Sequence, residues 1–135
     1  MVRPLAEVFH DLAALGTAAD RIWPDPTMPF QRTPGPLLVG VTRERHGPIH
    51  AVLDAYVVNQ CIAWRAELGF LRGVHRFEVQ DVGQGVTLVR HVLRITLAWW
   101  FVPVWRWSVR RAHDRILEGL LDRLAAGAAS RGAGA

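Results

Sequence analysis

The chain contains no lysine: all sixteen of its basic side chains are arginine. It has one cysteine, Cys61, and two serines, Ser108 and Ser130. A single cysteine excludes an internal disulfide, and a reducing cytoplasm is the compartment this predicts. The serines leave little for a nucleophilic triad, since Ser108 falls in a helix-patterned stretch and Ser130 in a small-residue tail. Cys61 opens a strand on the face opposite Trp64, away from any histidine. Long apolar runs are missing too. The most apolar window, "ITLAWWFVPVW" from Ile95 to Trp105, has eleven residues, includes Pro103 and is flanked by Arg94 and Arg106. A membrane-spanning helix needs about 20 apolar residues, so none is expected. In "MVRPLAEVFHDLAAL" Glu7 and Asp11 interrupt any signal-peptide core. The formal net charge is +4. The arginines are scattered among acids, as in "RER" and "DRILEGLLDR", and form no one-sided stripe, which argues against nucleic acid as a partner. The Arg, Ala, Gly and Pro richness reads as the imprint of a GC-rich genome.

What remains is a chain of 135 residues, half of them apolar, sized for one domain with a real core. Residues 4–21 carry a helix pattern, with Pro4 suited to the first turn and Leu5, Val8, Phe9, Leu12 and Leu15 at helical spacing. "WPDPTMPFQRTPGP" holds five of the eight prolines and reads as an irregular connection whose Trp23, Met28 and Phe30 tuck against the body. From Leu37 the period becomes two. Five strands follow: "LLVGVTRER", "IHAVLDAYV", "CIAWRAE", "VHRFEV" and "VTLVRHVLRITL", with "HGP" and "VNQ" as turns. Short links make them an antiparallel meander. A long helix, roughly 103–126, then shows an apolar stripe of Val109, His113, Ile116, Leu117, Leu120 and Leu124. Gly127 is a natural stop, and 127–135 reads as a flexible low-complexity tail. The order helix, sheet, long helix predicts an α+β domain over 1–126, in which the helix covers one sheet face.

Strand alternation points two histidines inward. In "VTLVRHVLRITL", Arg90 and Arg94 claim one face, so Thr87, Val89, His91, Leu93, Ile95 and Leu97 take the other. In "VHRFEV", Arg76 and Glu78 point out, so His75, Phe77 and Val79 point in. Both inward sets are odd-numbered, which demands an odd loop; one centred near Gly83 sets His75 opposite His91, and a slip of one pair leaves them diagonal neighbours. No inward carboxylate stands beside them, Glu78 being outward. Trp64 shares its face with Ile62 and also points in. His113 on the last helix is a third inward imidazole, and as chain neighbours on a helix His113 and Asp114 are expected to diverge rather than form a dyad. Three histidines at this spacing match no zinc motif, and neither a metal nor any other cofactor is called for. Four of the six tryptophans, Trp99, Trp100, Trp105 and Trp107, crowd "WWFVPVWRW" and cannot all face the sheet. They suggest a lid or pocket mouth, then a dimer surface, then a shallow membrane-surface contact flanked by Arg94, Arg106, Arg110 and Arg111.

A helix with "DL" leading to "WP", a "VG" strand, "IAWR", "GVHRFEV", "GVTLVRHVLR" and a last helix with "HDRILEGLLDRL" together resemble the SRPBCC superfamily. This is the START and birch-pollen-allergen-like group, and the resemblance is to its bacterial polyketide cyclase/dehydrase-like branch. It covers about residues 5–126. It implies a helix-grip fold, a curved antiparallel sheet of five to six strands wrapped around the long C-terminal helix, with an apolar cavity between. It further implies binding of a hydrophobic small molecule: a lipid, a polyketide-like aromatic or an isoprenoid. In that family a polar residue at the place of His113 commonly faces or caps the cavity. One departure stands out: members usually begin with a strand before the first helix, and only "MVR" precedes Pro4. Either the start codon is late or the domain lacks that strand, and a loss would open a sheet edge and invite a homodimer or instability.

Two readings of function follow. In the first, the domain binds an apolar molecule in a cavity lined by Trp64, His75, Phe77, His91, Leu93, Val109 and His113, and the histidines are wall residues satisfied by a carbonyl or water. In the second it is a cyclase or dehydratase in which His75 or His91 acts as general acid or base on a C–H beside a carbonyl. The family supplies no universal catalytic set, and the first reading is preferred; a third, ranked lower, is an interaction protein that uses the exposed sheet edge.

Overall fold

The computed structural model of the chain describes residues 1–127. Helix α1 (Leu5–Ala13) comes first, followed by six strands: β1 (Gln31–Arg32), β2 (Arg43–His46), β3 (Ile49–Val57), β4 (Cys61–Glu67), β5 (Leu71–Asp81) and β6 (Thr87–Leu97). They form one antiparallel sheet in chain order, each strand paired with the next. A helical run then closes the domain. It opens with a 3₁₀ turn (Trp99–Phe101) and one α turn, α2 (Val102–Val104), widens to a π-helical segment (Trp105–Val109), and ends as α3 (Arg110–Ala126). Gly127 stops α3 at φ +52, a backbone region in which glycine carries no Cβ penalty.

The expected meander is present, with three corrections. The helix pattern of residues 4–21 is realised only to Ala13; beyond it Thr17 Oγ1 donates to the carbonyl of Ala14, and the Asp20 carboxylate accepts from the Gly16, Ile22 and Trp23 amides, folding the chain into turns. The strand expected over 37–45 begins only at Arg43, because the Thr42 hydroxyl accepts from the Leu38 amide and holds the preceding residues in a compact turn. The proline-rich connection contains a two-residue strand, β1, which pairs Gln31 with Arg45 and Arg32 with Glu44. Trp23, Met28 and Phe30 do tuck in. The Trp23 indole donates to the carbonyls of Asp25 and Met28, which pins the loop.

The core lies between the inner sheet face and the two long helices. Val8, Phe9 and Leu12 of α1, Leu53 and Trp64 of the sheet, and Leu120 and Leu124 of α3 are all buried in it. A bulge at Asp54 shifts the β3–β4 register, so Tyr56 turns inward against Phe9. The first helix is held by more than apolar packing. The buried Arg3 donates from Nη1 to the Leu124 carbonyl at 2.6 Å and pairs with Asp11 at 3.0 Å, and Arg21 meets Asp11 from the other side at 2.7 Å. The residues before α1 also touch β6: the Met1 ammonium donates to the Thr87 carbonyl, the Thr87 amide donates to the Met1 carbonyl, and Val2 bridges Val86. No strand of the described residues pairs along the rest of that edge.

Candidate functional site

The β5–β6 hairpin sets the site. Its loop is odd, as parity requires, but it is centred on Gln84: Asp81 pairs with Thr87, and Gly83, Gln84 and Gly85 all take positive φ. The register is therefore one pair away from that of a loop centred at Gly83. His75 faces Leu93, His91 faces Phe77, and the two imidazoles are diagonal neighbours with ring centroids 6.1 Å apart. Both remain on the inner face.

Between the sheet and the C-terminal helices lies a cavity of about 310 Å³. Trp64, His75, Phe77, His91, Leu93, Val109 and His113 all line it, as do Phe30, Phe70, Phe101 and Trp105. The π-helical segment and the first turns of α3 form one wall, with Ser108, Val109, Ala112, His113, Ile116 and Leu117 turned to the cavity. The tryptophan-rich segment divides its duties: Trp105 and Phe101 line the cavity, while Trp99 is 85 % exposed and Trp107 70 % exposed.

The imidazoles form a file. His46 lies 6.3 Å from His75, His75 lies 6.1 Å from His91, and His91 lies 5.5 Å from His113, centroid to centroid. His46, placed in the "HGP" turn by the sequence pattern, instead ends β2 and pairs with Ile49; the turn is only Gly47 and Pro48. Its ring stacks on Phe30 at 5.5 Å. Behind the file stands a carboxylate that alternation did not reveal. Glu44 is 3 % exposed on the inner face of β2; its Oε2 accepts from His46 Nδ1 at 2.8 Å, and its Oε1 lies 3.9 Å from His75 Nε2. The second distance is too long for a hydrogen bond, and Glu44 Oε1 and His75 Nε2 are both buried without a partner. The expectation that no inward carboxylate accompanies the histidines is thus overturned. So is the expected divergence of His113 and Asp114, since His113 Nδ1 lies 3.3 Å from Asp114 Oδ1.

Burial governs the charges. It lowers the proton affinity of His75, partly offset by Glu44, and with the neighbouring His75 and His113 it pushes His91 down to about 3. Burial alone would raise the Glu44 carboxyl, yet the hydrogen bond from His46 and the nearness of His75 hold it below the usual carboxylate value. At neutral pH, then, the site holds neutral His75 and His91 in front of an ionised, buried Glu44. Such a wall can donate and accept hydrogen bonds without presenting a positive charge. Among the described residues no group of three or more histidine, cysteine or acidic side chains has metal-holding geometry. Cys61 is buried on the outer-face side, where Arg76 donates to its sulfur at 3.2 Å.

No protein-family model and no curated protein matches the chain. Among solved structures, protein Ms6760 from Mycobacterium smegmatis is similar in fold, with a TM-score of 0.61 at 10 % sequence identity over 93 % of this chain and 84 % of that one. At that identity the likeness concerns fold alone: an α+β domain with an antiparallel sheet and a long C-terminal helix. No helix of the described residues is long and apolar enough to cross a membrane.

Proposed function

We propose that this is a helix-grip domain of the SRPBCC type, lacking the usual first strand among its described residues, that binds a hydrophobic small molecule. The observation that carries this reading is the cavity itself. A compact chain normally closes its core to the density of an organic crystal. Here about 310 Å³ stays open between sheet and helix, walled mainly by aromatic and aliphatic side chains. That is the size and lining of a small-molecule site. Native mass spectrometry of freshly purified protein tests it. The expected result is an added mass that departs on unfolding and is identified as an apolar compound. A chain that carries no such mass, and takes up none when offered apolar compounds, overturns the reading.

A second reading, acid–base catalysis, draws support from Glu44. A buried carboxylate that accepts from His46 Nδ1–H fixes that tautomer and leaves the other ring nitrogen as the base. A general base of this kind would take a proton from a C–H beside a ketone carbonyl. Deuterium uptake by 2-tetralone in heavy water, followed by NMR, separates the readings. Uptake faster than in buffer and lost in His46→Gln favours the enzyme; uptake at the buffer rate leaves the binder.

A further inference from the structure

We propose that the cavity selects apolar molecules whose polar end is an uncharged oxygen, such as an alcohol, phenol or ketone, and rejects the corresponding carboxylates. This deepens the small-molecule reading above and rests on it. The polar side chains among the cavity's lining residues are His46, His75, His91, His113, Ser108 and the indoles of Trp23, Trp64 and Trp105, of which the Trp23 N–H is already taken by the carbonyls of Asp25 and Met28. No arginine of the described residues lines the cavity, although the chain has sixteen. A carboxylate that left water for this cavity would lose its hydration, and neither His75 nor His91 would offer it a positive charge in return.

The second element is Glu44. Its side chain is fully buried behind His46 and His75 and carries its own negative charge. Arg32 is its cross-strand partner, but no ion pair joins the two among the described residues, and the Nε and Nη1 atoms of Arg32 are buried without a hydrogen-bond partner. A second anion placed against His46 or His75 therefore faces like charge in a poorly screened setting. An uncharged oxygen meets the opposite situation. The neutral rings of His75 and His91 each carry one donor and one acceptor nitrogen, which suits a hydroxyl or a carbonyl. The aromatic walls, with Trp64, Phe77 and Trp105, complement a flat carbon skeleton.

Calorimetric titration of the full chain at neutral pH with naphthalene, 2-naphthol and 2-naphthoate tests this on one skeleton with three polar ends. The expected result is 2-naphthol bound at least about tenfold more tightly than 2-naphthoate, with the gap narrowed in Glu44→Gln by a gain in naphthoate affinity. Equal or tighter binding of 2-naphthoate by the wild type overturns the selectivity, and if naphthalene binds in that case the small-molecule reading survives alone. If neither naphthalene nor 2-naphthol binds, that reading fails and the selectivity falls with it. A folded Glu44→Gln chain with an unchanged gap removes Glu44 as its origin. Should that variant fail to fold, the three probes on the wild type decide by themselves.

Discussion

Nδ1 of His46 donates to Oε2 of Glu44 across 2.8 Å, on the inner face of a four-residue strand. The other oxygen of the same carboxylate looks toward His75. Glu44 thus supports two imidazoles of the file, and it works against burial at His75. In Glu44→Gln the His75 ring should lose that support and titrate lower than in the wild type. Long-range ¹⁵N–¹H spectra of the imidazole nitrogens measure this, and an unchanged or raised His75 midpoint would contradict the arrangement.

Stability should fall on acidification, and the sign follows from the shifts. His91 protonates at about 3 in the folded chain and near the ordinary histidine value of about 6.5 when unfolded. Between those values the unfolded chain binds more protons, so unfolding free energy drops as pH falls, with a limiting slope of about 1.4 kcal/mol per pH unit for one proton. His75, also lowered, adds in the same direction. Glu44, held below its usual value, stabilises the fold above the ordinary carboxylate range and loses that contribution as pH falls through its folded value. Urea titrations from about pH 7 to about pH 5 isolate the histidine window. The double variant His75→Gln, His91→Gln should flatten the profile there, and a slope as steep as the wild type's would place the titrating groups elsewhere.

Arg3 ties the start of the chain to the end of α3 through the Leu124 carbonyl and to α1 through Asp11. Arg3→Met should cost about 2 kcal/mol, less than a fully broken buried pair because Arg21 still meets Asp11. Denaturant midpoints measure the loss, and a change under about 0.5 kcal/mol would mean that the buried pair contributes little.

Gly73 sits in β5 opposite Ile95, at φ +153, and a Cβ there would run into the Arg94 carbonyl. Gly73→Ala should cost more than about 2 kcal/mol. A melting temperature equal to the wild type's would show that the hairpin shifts to make room.

The hairpin's inner face was readable because charged residues mark the other one: Arg90 and Arg94 on β6, Arg76 and Glu78 on β5. Its register was not, because three consecutive residues, Gly83, Gln84 and Gly85, can each sit at the loop's centre and the chain uses the middle one. The site's carboxylate was hidden for a different reason. Along β2 the inward positions are Glu44 and His46, continuing from the buried Thr42, so no apolar period exists to mark a face. The α3 stripe was readable because Ile116, Leu117, Leu120 and Leu124 keep helical spacing, and that is what placed Val109 and His113 at the cavity. The flexible tail expected over 127–135 lies, apart from Gly127, outside the described residues.

The most direct test of the binding claim is titration with N-phenyl-1-naphthylamine, an uncharged apolar fluorophore, in the wild type and in two variants that push bulk into the cavity, Val109→Trp and Ala66→Phe. The account predicts saturable binding at one molecule per chain and loss of at least about tenfold in affinity in whichever variant keeps its cooperative melting transition. No saturable binding by the wild type, or undiminished binding in a folded, cavity-filled variant, would contradict it.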